Sequence, residues 1–171
     1  MESDVVAVCV FWVQVMCASR RRDVVDRALD AGADDAVLLP TDSTVSQLVD
    51  ATTMSGYNRI DVAVDAAGDP ASLAVAVRSL HRGGTVFELA GPRGDDHRLP
   101  SVDEMVRRAV TLRPVLAGTL EQLHELVDVL AVQRVCVDNI PVEYCRPDEL
   151  HAILERLHRR TTTGRIVVKY N

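Results

Sequence analysis

The chain has 171 residues and a formal net charge of −6, which fits one domain with a full core and argues against nucleic-acid or anionic-membrane partners. Hydrophobic residues make up 47% and charged residues 26%, the balance of a soluble globular protein. The four cysteines at 9, 17, 136 and 145 form no C-x₂-C pair, which excludes a disulfide scaffold or ready metal motif and points to reduced thiols in the cytoplasm.

The first element is VVAVCVFWVQVMCA at 5–18, an apolar run of 14 residues. It is short for a bilayer span, and it follows acidic Glu2 and Asp4 instead of a positive signal-peptide start, so it reads as buried strand. A helix is expected from about Asp23 to Ala31, with Val24, Val25, Ala28 and Leu29 at helical spacing and Gly32 at its C-terminal cap. AVLLP at 36–40 is a short strand stopped by Pro40. Ser43 or Thr44 caps a helix through Met54, with Val45, Leu48 and Val49 inward. IDVAVDAAG at 60–68, a helix at about 71–81 and TVFELAG at 85–91 then form one strand–helix–strand crossover. These apolar runs do not alternate with polar residues, which suits parallel strands buried on both faces.

PRGDDHRLP at 92–100 is a surface loop, and Ser101 with Glu104 predicts a capping box opening the next helix. TLRPVLAG at 111–118 is a strand in which Pro114 removes one ladder donor and limits it to an edge or bulge. Helices follow over Leu120–Val132 and 148–160, with the strand RIVVKY at 165–170 last. Strands and helices alternate throughout, which implies an α/β three-layer sandwich with a mostly parallel sheet in a single domain.

The wording of these pieces resembles the medium-chain dehydrogenase/reductase family of zinc alcohol dehydrogenases and quinone reductases. The features run in family order from about Val15 onward: AGAD after the first helix, VDAAG, RGGTVFELAG, the LAG strand, and a terminal strand entered through a basic residue. The resemblance implies a Rossmann-like nucleotide-binding domain. At the end of its second strand this family binds the adenosine ribose, where an acidic residue excludes a 2′-phosphate. Here Ser19 takes that position and Arg20 follows, which implies preference for NADP through charge-assisted bonds. The competing reading makes Arg20, Arg21 and Arg22 a solvated helix start.

The resemblance further implies that Ala67, Gly68, Ala90 and Gly91 let the backbone pass close to the nicotinamide half, and that Arg165 reaches the pyrophosphate. Strand-end turn chemistry explains Gly68 and Gly91 equally well. Asp65 is a family-typical acid beneath the site, expected to bond neighbouring backbone.

The departures bear on activity. The family's first strand, Gly-rich turn and helix precede the second strand and hold the pyrophosphate. In this sequence no glycine occurs before Gly32, and 14 apolar residues make one strand of up to ~45 Å, or two joined by a tight turn, but not a strand, Gly loop and helix. The first β–Gly loop–α unit is therefore expected to be shortened or missing, and NADP affinity weak or lost. The GroES-like catalytic domain that carries the family's zinc ligands is also not represented, so no zinc is expected in this chain. The histidines at 81, 97, 124, 151 and 158 show no metal-site spacing, and no G-x-S-x-G elbow supports a serine hydrolase.

Three readings follow. The first is an alcohol dehydrogenase-like cofactor domain, truncated and unable to transfer hydride alone. The second is a non-catalytic module that dimerises, or docks on a complete paralogue, through the segment 97–118. The third, an adenosyl-group transferase using the strand-end crevice, ranks last because it too needs a glycine-rich first loop.

Overall fold

A parallel strand pair needs a crossover of a dozen or more residues, so β-branched runs separated by helices build repeated β–α–β units. A computed structural model describes residues 13–40, 43–54, 60–90, 100–132, 140–159, 161–162 and 164–170. The elements are β1 (Met16–Ser19), α1 (Arg22–Asp30), β2 (Asp35–Leu38), α2 (Val45–Met54), β3 (Ile60–Asp65), α3 (Pro70–Ser79) and β4 (Leu80–Glu88). They continue with α4 (Val102–Arg108), β5 (Thr111–Pro114), α5 (Leu120–Ala131), β6 (Val142–Cys145), α6 (Leu150–His158) and β7 (Arg165–Val168). The ladders join β1 to β2, β3 to β4 to β5, and β6 to β7, and every pair is parallel. This is the expected α/β class.

The core forms where α3 lies on β3 and β4. Leu73 and Val77 of α3 meet Leu80, Val86 and Val110, with Ile60, Ala63 and Leu112 packed around them. α2 is tied to α3 by a buried Thr52–Ser79 hydroxyl pair at 2.9 Å. Thr52 spends its proton on the Val49 carbonyl at 2.8 Å, so Ser79 is the donor to Thr52.

Helix starts follow the cap chemistry. Of the two candidate caps for α2, Thr44 is the one used: its Oγ1 accepts from the Gln47 N–H at 3.3 Å and its N–H donates to Gln47 Oε1 at 2.9 Å. Thr119 and Gln122 make the same reciprocal pair at α5. At α4 only half the expected box forms. Ser101 accepts from the Glu104 N–H at 3.1 Å, but the Glu104 carboxylate binds Arg78 at 2.9 Å.

Several boundaries move. β4 begins at Leu80 directly after α3 and ends at Glu88, whereas the sequence suggested 85–91; the early start is accommodated by a register shift between the Ile60–Leu80 and Val62–Thr85 pairs. β5 stops at Pro114, which has no N–H to continue the ladder, and Ala117 turns away with φ 52°. β6 was missed as a strand, being four residues long. Burial of β3 on both faces is not observed. α3 covers the Ala63 face, while Val62 and Val64 on the other are 54% and 48% exposed. Residues 5–12 of the first apolar run, Gly91 and the loop at 92–99 lie outside the described residues. Among the described residues no helix is long and apolar enough to cross a membrane.

Candidate functional site

Parallel strands bring all their carboxyl ends to one edge of a sheet, and ligands of open α/β sheets sit there. β1 ends on Ser19, whose Oγ accepts from the Arg21 N–H at 3.1 Å and leaves its own proton to donate outward. The Arg20 Nη1 lies 3.2 Å from Asp69 Oδ2, so this one side chain joins the end of β1 to the start of α3. Arg21 turns back to Asp23 at 2.5 Å, and this bond holds the Asp23 carboxyl below its ordinary range. The arginine triplet is thus divided: Arg21 supports the first turn of α1, and Arg20 reaches across.

At the end of β3, Asp65 is 5% exposed. It accepts from the Ala67 N–H at 2.9 Å and from the Ser72 hydroxyl at 2.7 Å, the backbone-bonding role expected of it. Gly68 is buried with φ 64°, a left-handed turn that a side chain would strain. That turn delivers Asp69 as the cap of α3, where it accepts from the Ala71 N–H at 2.8 Å ahead of Pro70.

At the end of β4, Glu88 stands opposite Asp65 in the ladder. Glu88 Oε1 accepts from the Ala90 N–H at 3.3 Å, while its Oε2 is buried with no hydrogen-bond partner among the described residues. Burial, and then the Asp65 charge, push the Glu88 pKa up against the lowering effect of the Ala90 N–H.

The structure therefore brings Arg20, next to Ser19 at the end of β1, to Asp69, which follows Ala67 and Gly68, while Ala90 follows β4, the strand paired with β3. Gly91 lies outside the described residues. Arg165 opens β7 on the separate β6–β7 pair, its N–H donating to the Pro141 carbonyl at 2.8 Å. The ladders do not carry it to the strand ends of β3 and β4. No cluster of three metal-ligating side chains occurs among the described residues. Burial raises the Cys17 pKa, which keeps it a thiol.

A sequence model described as zinc-binding dehydrogenase matches residues 7–132. The chain belongs to the zinc-binding dehydrogenase family. Its described fold is the nucleotide-binding domain of these medium-chain dehydrogenases, and the family match starts upstream of Val15, where the sequence resemblance was drawn. No curated protein matches the chain.

Solved dehydrogenase structures share the fold. An alcohol dehydrogenase of the archaeon Aeropyrum pernix superposes with a TM-score of 0.74 at 24% identity, over 92% of this chain and 43% of its own. A quinone oxidoreductase of Pseudomonas syringae gives 0.76 at 14% identity, over 99% and 53%. An E. coli alcohol dehydrogenase solved with NADH gives 0.78 at 11% identity, over 97% and 48%. The chain thus spans about half the length of the dehydrogenases it matches.

Sequence reasoning passed over Asp69, Ser72 and Glu88. The first two carried a signal, since D-P-A-S immediately before an apolar helix is an N-cap followed by proline at the first helical position. Glu88 carried none, because one acid inside TVFELAG shows its partner only when the register is known.

Proposed function

We propose that this dehydrogenase-family domain binds the adenosine half of a nicotinamide dinucleotide at the β1 and β3 strand ends, favours NADP(H) over NAD(H), and does not complete hydride transfer alone. The observation that carries the reading is the pairing of a Ser19 hydroxyl free to donate with the Arg20 guanidinium at the end of β1, beside the α3 loop. A hydroxyl and a planar guanidinium form the donor set that a 2′-phosphate takes, and no carboxylate occupies the Ser19 position to bind a ribose diol. Ala67 and Ala90 bring no large side chain to the ends of β3 and β4. A bound nicotinamide would supply the hydride; the chain's own residues orient it by its phosphate and adenosine ends.

The test is titration calorimetry with NADPH and NADH on wild type and Arg20→Ala. Tighter binding of NADPH, reduced about tenfold or more in the variant, supports the reading. Equal affinity for both cofactors, or no effect of the substitution, overturns it.

A second reading is favoured by a different feature. Among the described residues β5 is an edge of its sheet, and Val102 and Val106 on α4, the preceding helix, and Leu116 just after β5 are exposed, Leu116 at 98%. An open strand edge flanked by apolar side chains suits pairing with the same segment of a second copy, extending one sheet across two chains. Sedimentation should then show a dimer that Leu116→Asp dissociates; a wild-type monomer at micromolar concentration contradicts this reading.

A further inference from the structure

Arg20 does not stand open to a ligand. Its Nη1 is 3.2 Å from Asp69 Oδ2, and the two side chains are 39% and 42% exposed, so solvent and ligands reach the pair. The partners differ in freedom. Arg20 is a long side chain at a strand end, whereas the Asp69 carboxylate is fixed through Oδ1, which accepts from the Ala71 N–H at 2.8 Å at the start of α3. When the pair opens, the arginine swings and the negative charge stays where it is. Two further acidic side chains, Asp65 and Glu88, stand on the neighbouring strand ends, opposite one another in the ladder. An incoming phosphate therefore meets a fixed anion already holding the cation it needs.

We propose that Asp69 is a built-in rival for the Arg20 guanidinium and sets the discrimination between dinucleotides with and without a 2′-phosphate. The inference deepens the cofactor reading above and rests on it, because it takes Arg20 as the phosphate donor. An unphosphorylated adenosine ligand makes no demand on Arg20 and leaves the Arg20–Asp69 pair intact. A 2′-phosphate must replace the carboxylate, so the benefit of Arg20 is reduced by the bond it gives up. Asp69 thereby holds the preference for NADP(H) below what Ser19 and Arg20 alone would give.

The discriminating variant is Asp69→Asn, which removes the charge and keeps a side-chain oxygen for the Ala71 N–H; asparagine caps helices as well as aspartate does. Calorimetric titration uses 2′,5′-ADP and 5′-AMP as probes on wild type, Asp69→Asn, Arg20→Ala and the double variant, with circular dichroism melts to confirm folding. The expected result is binding of 2′,5′-ADP about tenfold tighter in Asp69→Asn, the order expected when one nearby charge is removed at a partly exposed site. Binding of 5′-AMP should be unchanged, and the gain should vanish in the double variant. If Arg20→Ala weakens 2′,5′-ADP but Asp69→Asn does not tighten it, the rivalry is overturned and the cofactor reading stands. An equal gain for both probes also overturns it, since Asp69 would then act only through a general field. If Arg20→Ala leaves 2′,5′-ADP binding unchanged, or neither probe binds, both the rivalry and the reading beneath it fail.

Discussion

Single residues at the strand ends are held by competing demands. Asp65 is buried with a partner on each oxygen, the Ala67 N–H on one and the Ser72 hydroxyl on the other. Glu88, its neighbour across the ladder, has one oxygen with a partner and one without. The folded state therefore favours protonated Glu88, and its pKa lies above the unfolded value. A carboxyl raised in this way lowers stability as pH climbs from the ordinary carboxylate range through the raised pKa, because the folded protein then loses a proton it held more tightly. Glu88→Gln keeps the shape and never ionises. Thermal melts should place the variant above wild type at pH 7, with the gap closing by pH 4. A gap of equal size at both pH values would show that the charge of Glu88 is not its cause.

Elements were legible in proportion to how local their signals are. α1, α2, α4 and α5 begin within about a residue of where capping residues and helical spacing put them, because a cap and the first turn are set by contacts three or four residues apart. Strand boundaries were less legible. The start of β4 at Leu80 depends on pairing with Ile60, twenty positions earlier in the ladder, and on a register shift that no local pattern announces. β6 has only four residues and needs β7 to define it. The candidate site divides in the same way. Ser19, Arg20, Ala67, Gly68 and Ala90 end up near the carboxyl ends of β1, β3 and β4, since strand-end position is itself local. Their connection was not legible, because the Arg20–Asp69 pair spans 49 positions and exists only once α3 is docked on the sheet.

At the scale of the whole molecule, the described ladders are three separate parallel sets, and β1 and β3 carry no hydrogen-bonded pairing with each other. Among the described residues, the Arg20–Asp69 pair runs from the end of β1 to the start of α3, and the Thr52–Ser79 pair ties α2 to α3. The Arg20–Asp69 pair lies at the strand-end edge, where ligands of open α/β sheets bind. The half-exposed Val62 and Val64 on β3 lie on the face that α3 leaves uncovered. The central claim is that a dinucleotide sits on the ends of β1, β3 and β4. Titration of ¹⁵N-labelled protein with NADPH, followed by backbone amide shifts, tests this position directly. The account predicts perturbations concentrated at Ser19–Arg21, Asp65–Asp69 and Glu88–Ala90, with β6 and α6 unmoved. Saturating NADPH that shifts none of these amides, or shifts only the segment from α4 to β5, would contradict it.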